Sequence, residues 1–539
     1  MGYSPEGVNR GAGESTHEMT DLPVITRDAP VRAQAGAVAA AALAALRQAL
    51  RRIEPVTAGA MLLALFYTAG YLGHQVLPGN DPAYPLGWWG WWDQSQYIGS
   101  ARALAAQDWT PSSHWYPLGY AILAAPFVHL QRAHLFFFVD LACLIACYGG
   151  FLAFARRVGV GAPWAVPAFV LAVAGDPRLF QTWIEPWNTS PTAALFWLLL
   201  ASIAGHFDTF TASRLRLGTI GLLAAAIPLF RPTDGLAAAV CVAGVLLHDG
   251  LGRRLSGRNL VAMALGGALV MLPYAALYLR IYGLHQTEYV RISRQLGFVP
   301  GDFVFKAFVL LIEPRAWFGM GEGVLERAPW IVLGLAGIVS ALTASRPPAR
   351  WALALLVVAM AAQAFLYIAY IDLLPSGLWL YHAVHYFKWM VPGFALLAVL
   401  WVRQLIMGRR LVAVLALVGL LVILSVRIVP ERETNGGQSR LAYFPGLIVS
   451  WPDGYLAPAL ALQDAAGSLP NITAMRLVPL PDGLRAVALR RKFEPPIAWA
   501  AGAAPTGAQQ AAAPYFYYEH VTIGWPCILP PYPCKRTPF

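Results

Sequence analysis

Apolar runs long enough to cross a bilayer recur along this chain, and they restrict its fold more than any motif does. About 18 such residues suffice for a span. The runs fall at 56–77, 134–155, 162–175, 191–206, 217–230, 234–248, 259–280, 329–345, 350–371, 389–405 and 411–428, roughly eleven in all. Backbone polar groups in hydrocarbon must be satisfied inside the segment that carries them, so these runs fold as helices. Only 12% of the residues are charged, against about 25% in soluble domains. The expected fold is an all-α polytopic membrane protein with about eleven transmembrane helices. Runs shorter than about twenty residues must extend into the interface or be sheltered by neighbours.

The loops set the orientation. Arg156 and Arg157, Arg214 and Arg216, Arg253, Arg254 and Arg258, Arg346 and Arg350, and Arg403, Arg409 and Arg410 occupy alternate loops. By the positive-inside rule these loops face the cytoplasm. The net charge of +11 is therefore topogenic, and no nucleic-acid partner is expected. The other loops, 78–133, 176–190, 281–328 and 372–388, then face outward with the tail after 428. The expected location is a bacterial cytoplasmic membrane, with the N-terminus inside and the C-terminus outside. Segment 117–130 is apolar but short and holds Pro117 and Pro126. Runs of 10–14 residues are more often interfacial than spanning, so it is kept among the outer surface helices.

Three regions follow. Residues 1–55 read as a cytoplasmic tail and, over 35–53, an amphipathic helix on the inner face. Residues 56–428 are the transmembrane module, with 78–133 as its catalytic outer loop. Residues 429–539 change to Pro, Gly, Ala and aromatics, and periodic stretches at 455–467 and 482–491 indicate a small extramembrane α/β domain. The first span would act as a signal anchor, because the first 30 or so residues lack an apolar h-region. Cys143, Cys147 and Cys241 read as core side chains. Cys527 and Cys534 either pair or stay free.

Asp93 is the first candidate for chemistry. A carboxylate at the hydrocarbon edge is expensive and rarely accidental. Tyr97, Ala101 and Leu104 share one helix face, so Asp93 sits near a helix N-terminus, where the dipole favours an anion. Capping alone would also explain it. A second polar-aromatic cluster follows in Trp115-Tyr116-Pro117-Leu118-Gly119-Tyr120.

The pattern Asp93…Tyr97…Ala101…Leu104, then Tyr116-Pro117-x-Gly119-Tyr120 and Ala125-Pro126-Phe127, resembles the first outer loop of the GT-C superfamily. These are integral-membrane glycosyltransferases that use polyprenyl-phosphate-linked sugars, among them protein O-mannosyltransferases and lipid A aminoarabinose transferases. Trp183-Ile184-Glu185-Pro186, Phe230-Arg231-Pro232-Thr233-Asp234-Gly235 and Tyr381-His382-x-x-His385-Tyr386-x-Lys388-Trp389 follow in an order similar to that family. Many relatives have Asp-Glu where this chain has Asp93-Gln94.

The resemblance implies an inverting glycosyltransferase. Its partners would be a polyprenyl-phosphate sugar donor, the membrane, and an acceptor hydroxyl on a lipid, glycan or protein. A transporter or flippase of lipid-linked sugars and an O-antigen polymerase or ligase are the competing classes. Asp93 would take the acceptor proton. Glu185 would hold the acceptor, orient the base, or bind a divalent cation with Asp93. A divalent cation is a possible cofactor, and no dedicated metal site is expected. Arg231, Lys388 and His385 would bind the donor phosphate, whose departure needs cationic stabilisation. Arg231 could equally pair with Asp234, and Lys388 could simply snorkel. Tyr97, Tyr116, Tyr120 and His382 would line the substrate. His382 and His385 lack a third ligand for zinc.

Overall fold

The computed structural model describes residues 54–74, 88, 92–130, 134–209, 213–296, 323–343, 346–370 and 383–406, single residues within 303–312 and 408–419, and six strand segments between 434 and 500. The expected inner amphipathic helix, His382, and Cys527 and Cys534 lie outside the described residues, as does most of the eleventh expected span.

Ten of the expected spans coincide with helices. They are α1 (Pro55–Gly73), α4 (Phe137–Arg157), α5 (Ala162–Ala174), α7 (Thr189–Phe207), α8 (Arg214–Phe230), α9 (Gly235–Leu251), α10 (Gly257–Tyr282), α12 (Ile331–Leu342), α13 (Pro347–Ala369) and α14 (Met390–Ile406). Among the described residues, the helices between them include α2 (Trp92–Ala105), α3 (Leu118–Ala124), α6 (Pro177–Ile184) and α11 (Glu288–Leu296), with a single turn at Val324–Arg327. Among the described residues, six helices are long and apolar enough to cross a membrane: α1, α4, α7, α10, α13, and α9 with the turn before it. The chain is an α-helical, multi-pass membrane protein. α3 has seven residues, which excludes it as a span.

Helix patterning explains the packing. α1 buries Gly59, Leu63, Tyr67 and Tyr71 on one stripe, while Met61, Leu65 and Leu72 remain exposed. Exposed large apolar side chains on such a helix fit hydrocarbon rather than water. α7 is buried nearly all round and forms the centre, with Phe196, Trp197, Leu199 and Leu200 in the core. α8 and α10 cross backbone to backbone. A Cβ on Gly221 would lie 1.9 Å from the Met263 carbonyl oxygen, and one on Gly266 would lie 1.9 Å from that of Gly218. Small residues that let helix backbones touch are the usual glue of membrane helices.

The two ends of the bundle differ chemically. At one end, Arg157 and Arg346 reach Asp208 at 3.7 and 3.2 Å. Arg216 bonds the Gly205 carbonyl, Arg254 that of Thr209 at 2.6 Å, and Arg403 that of Gly159 at 2.5 Å. The arginine loops picked out by alternation thus share one end. Asp93, Glu185, Arg231, His385 and Lys388 lie at helix termini of the opposite end.

Within 429–539 the described segments are strands. β1 (Thr434–Asn435), β2 (Gly437–Phe444) and β3 (Leu447–Pro452) form one antiparallel sheet. β4 (Ile472–Pro479), β5 (Arg485–Arg491) and β6 (Ile497–Ala500) form another. Within the expected stretch at 482–491, Arg485–Arg491 is strand β5, whereas 455–467 lies outside the described residues.

Candidate active site

Asp93 lies in the first turn of α2. Gln94, Tyr97, Ile98 and Ala101 are buried, the i, i+3, i+4, i+7 stripe of a half-buried helix. The helix ends where Gln107 adopts φ 59°. This stripe turns Asp93 to the margin of the core, half-buried, where the Tyr116 hydroxyl donates to its Oδ1 at 2.5 Å. Tyr97 packs between Tyr116 and Tyr120, with ring centroids 4.7 and 5.2 Å away. The three tyrosines expected to line the substrate therefore form one cluster beside Asp93. Tyr289 of α11 joins it, 5.3 Å from Tyr116. Burial and the Asp93 charge push the Tyr97 and Tyr116 hydroxyls well above their usual range.

The Arg231 turn stands next to this cluster. α8 ends at Phe230, and Arg231 is extended, with φ −149° and ψ 102°. α3 reaches the same place because of Gly119, where a Cβ would lie 2.6 Å from the Leu229 carbonyl oxygen. Arg231 is 7% exposed. Its Nε donates to the Tyr367 hydroxyl at 2.5 Å and its Nη1 to Asn188 Oδ1 at 3.4 Å, and its guanidinium lies 4.1 Å from the Tyr386 ring centre. These hydrogen bonds engage two of its five N–H donors. Asp234 is 3.7 Å away, so the ion pair foreseen as an alternative does form. Asp234 in turn accepts from Tyr367 at 2.6 Å and Gln363 at 2.8 Å. The charges of Asp93 and Arg231 both act on the Tyr97 hydroxyl, as do Tyr289 and Tyr386.

The Glu185 loop closes one side. Glu185 is fully buried at the C-terminus of α6. It accepts from Trp187 Nε1 at 2.8 Å and lies 3.5 Å from His74. Gln94 Nε2 donates to the Pro186 carbonyl at 3.4 Å, which ties Asp93's helix to this loop. Trp187 stacks on His385 at 3.9 Å, and His385 Nδ1 is 3.1 Å from the Thr189 hydroxyl. His385 is thus a wall of the site, held by its neighbours.

Lys388 departs from expectation. It is 3% exposed, and its ammonium donates to the Thr182 carbonyl at 2.5 Å and the Ser190 hydroxyl at 2.9 Å. Burial pulls its pKa down to about 8, opposed by the charges of Asp140 and Glu185. A snorkelling lysine would reach for water. This one is enclosed by protein, with the Thr182 carbonyl and the Ser190 hydroxyl taking its N–H donors. Asp176 caps α6 through the N–H groups of Arg178 and Leu179 and pairs with Arg327 at 2.8 Å.

Reading the sequence alone missed Asp140, Asn188, Ser190, Tyr367 and Tyr386. Asp140 carried a usable signal, since a carboxylate inside an apolar run is flagged by its cost. Tyr367 carried none. It closes an apolar span 136 residues from its partner Arg231.

Among the described residues, neither Asp93 nor Glu185 belongs to a group of three or more acid, histidine or cysteine side chains with convergent ligand atoms. His206, His248 and Asp249 do form one, at the arginine end. There the Arg254 guanidinium already sits 3.1 Å from Asp249 and 3.0 Å from His248, in the place a cation would take.

No protein-family model matches the chain, and no curated protein sequence matches it. Two solved structures are similar in outline. ArnT from Cupriavidus metallidurans bound to undecaprenyl phosphate has 17% identity and a TM-score of 0.38, over 68% of this chain and 70% of that one. The same protein in the apo state has 18% identity and a TM-score of 0.37, over 61% and 59%. Overlap at this level defines neither a shared fold nor a shared site.

Proposed function

We propose that the protein is a membrane glycosyltransferase that moves a sugar from a polyprenyl-phosphate donor to an acceptor hydroxyl, inverting the anomeric carbon. The observation that carries this reading is that one loop, Pro186–Asn188, ties both sides together: Gln94, beside the Asp93 that Tyr116 holds, donates to the Pro186 carbonyl, and Arg231 donates to Asn188. Asp93 takes the proton as the acceptor oxygen attacks C1. The C1–O bond to phosphate breaks, and its electron pair leaves with the phosphate. Arg231 stabilises that developing charge, a task for which its planar fork is suited. The products are the glycosylated acceptor and a polyprenyl phosphate.

An apolar groove supports a lipid-linked donor. It runs between α8, α9 and α10, has a volume of about 560 Å³, and is lined by Gly221, Ala224, Gly235, Ala238, Val242 and Leu246 among others. Gly235 closes the turn that begins at Arg231. An isoprenoid chain lying there would bring its phosphate toward the guanidinium. The motif order resembling the GT-C superfamily supports the same class.

In this reading the arginine end faces the cytoplasm, and the site faces the periplasm of a bacterial inner membrane. Glu185 and His385 form the wall against which the acceptor or sugar is held. The test is transfer from a polyprenyl-phosphate sugar to mixed membrane acceptors by the purified protein. Arg231→Ala is expected to raise the donor KM at least about tenfold, the loss of one charge-assisted contact. An unchanged donor KM removes Arg231 from the reading, and no transfer by the wild type removes the reading itself.

A further inference from the structure

The loop that carries Tyr116 is tied to α2 a second time, by groups that the proposed chemistry leaves unused. His114 Nε2 lies 2.9 Å from the Asp108 carbonyl oxygen, which can only accept, so Nε2 carries the ring proton. In the neutral ring Nδ1 is then an acceptor, and the Ser100 hydroxyl donates to it at 2.8 Å. A serine bonded to a histidine is also the pairing found in activated nucleophiles. Here Ser100 and His114 are 2% and 1% exposed, which keeps substrate from both and excludes that use. The Asp108 carboxylate accepts from the Thr110 N–H at 2.9 Å and from the Ser113 hydroxyl at 2.8 Å, closing the turn that delivers His114. The Tyr282 hydroxyl, at the end of α10, donates to the His114 carbonyl at 2.7 Å.

Two hydrogen bonds therefore close a ring between helix and loop. Asp93 and Ser100 share a face of α2, about two turns apart. His114 and Tyr116 stand on the loop opposite them, with one residue between. Ser100 meets His114 at one point, and Asp93 meets Tyr116 at the other. We propose that His114 is a positioning residue: through its bond to Ser100 it holds the loop in the register that places the Tyr116 hydroxyl on Asp93. Tyr116, bonded to Oδ1, fixes the plane of the carboxylate. That carboxylate takes the acceptor proton in the function proposed above, on which the kinetic half of this inference rests. Without the Ser100–His114 bond the loop shifts along α2 and the carboxylate turns. Misplacement of a reacting group on this scale slows the chemical step, and it leaves the donor contacts of Arg231 as they were.

The test is a double-mutant cycle of Ser100→Ala and Tyr116→Phe on the full-length protein in detergent or nanodiscs. Each change removes one hydroxyl and little volume, so both variants are expected to fold. Ser100→Ala is expected to lower kcat several-fold, with its donor KM within about twofold of wild type. In the Tyr116→Phe background the same change is expected to cost nothing further, because the bond it protects is already gone. A wild-type kcat for Ser100→Ala, or an equal loss in both backgrounds, overturns the positioning role. His114→Asn sets a side-chain oxygen where Nδ1 stands and keeps a partner for Ser100. It is expected to retain most of the wild-type kcat, whereas His114→Leu is expected to be at least as slow as Ser100→Ala. Asn and Leu variants of equal kcat overturn the role of this bond. Should the wild type transfer no sugar, the proposed function fails, and thermal unfolding of the same cycle still decides the ring. Opening one bond lets the loop shift and weakens the other, so the double variant is expected to lose less Tm than the single losses summed. Losses that add in full overturn the proposal.

Discussion

Asp93 and Lys388 carry opposite charges at the same end of the bundle, and their surroundings give them different work. Asp93 is half-buried, next to a hydroxyl donor, at a helix N-terminus. Asp93→Asn keeps the shape and removes the proposed base. It is expected to lower kcat by about 10²–10⁴-fold with Tm unchanged, as measured by transfer assay and thermal scanning. Lys388 is enclosed, and its pKa is pulled down to about 8. Above that pH the folded protein releases a proton that the unfolded chain keeps until about 10.5. Stability attributable to Lys388 therefore rises between pH 8 and 10.5 and is lost as pH falls through 8. Across that window the wild type is expected to gain Tm relative to Lys388→Met. A constant difference would show that Lys388 does not titrate there.

At the scale of elements, two close approaches hold the site in place. Gly119 lets α3 touch the end of α8 just before Arg231, so Gly119→Val must push the two apart by the width of a side chain. The expected result is a loss of about 1–3 kcal/mol from overpacking together with a fall in kcat. Chemical unfolding and transfer assays on one preparation read both. Gly221→Leu acts at the α8–α10 crossing, where the Met263 backbone leaves no room. It is expected to lower Tm at least as much. That crossing flanks the apolar groove, so donor KM should rise as well. A Gly221→Leu variant with wild-type Tm and KM would show that the crossing is looser than drawn.

Across the whole molecule, the separation of an arginine end from a site end predicts which residues face which compartment. Leu284, 95% exposed after α10, belongs to the site end, and Leu215, 84% exposed at the start of α8, to the arginine end. In a background with Cys527 and Cys534 replaced, an impermeant thiol reagent applied to intact spheroplasts is expected to label Leu284→Cys and spare Leu215→Cys. Cys143, Cys147 and Cys241 are buried and should stay silent. The reverse pattern would turn the site toward the cytoplasm and end the assignment of an external acceptor.

What the sequence by itself determined was the part of the protein governed by local chemistry and solvent. Apolar runs set where helices must form, since hydrocarbon leaves the backbone no other partner. Alternate arginines sorted the loops onto two ends, and the helix carrying Asp93 was legible from the spacing of Tyr97, Ala101 and Leu104. The motifs around Glu185, Arg231 and His385 were each visible, although nothing local said that they meet. Only tertiary structure decided which polar groups share an enclosure. Arg231 met Tyr367 and Tyr386 from distant segments, and Lys388 turned inward to Thr182 and Ser190. Such pairings follow from burial, because a charge without water takes whatever partner the fold brings within reach. That partner lies tens to hundreds of residues away along the chain, where no spacing rule operates.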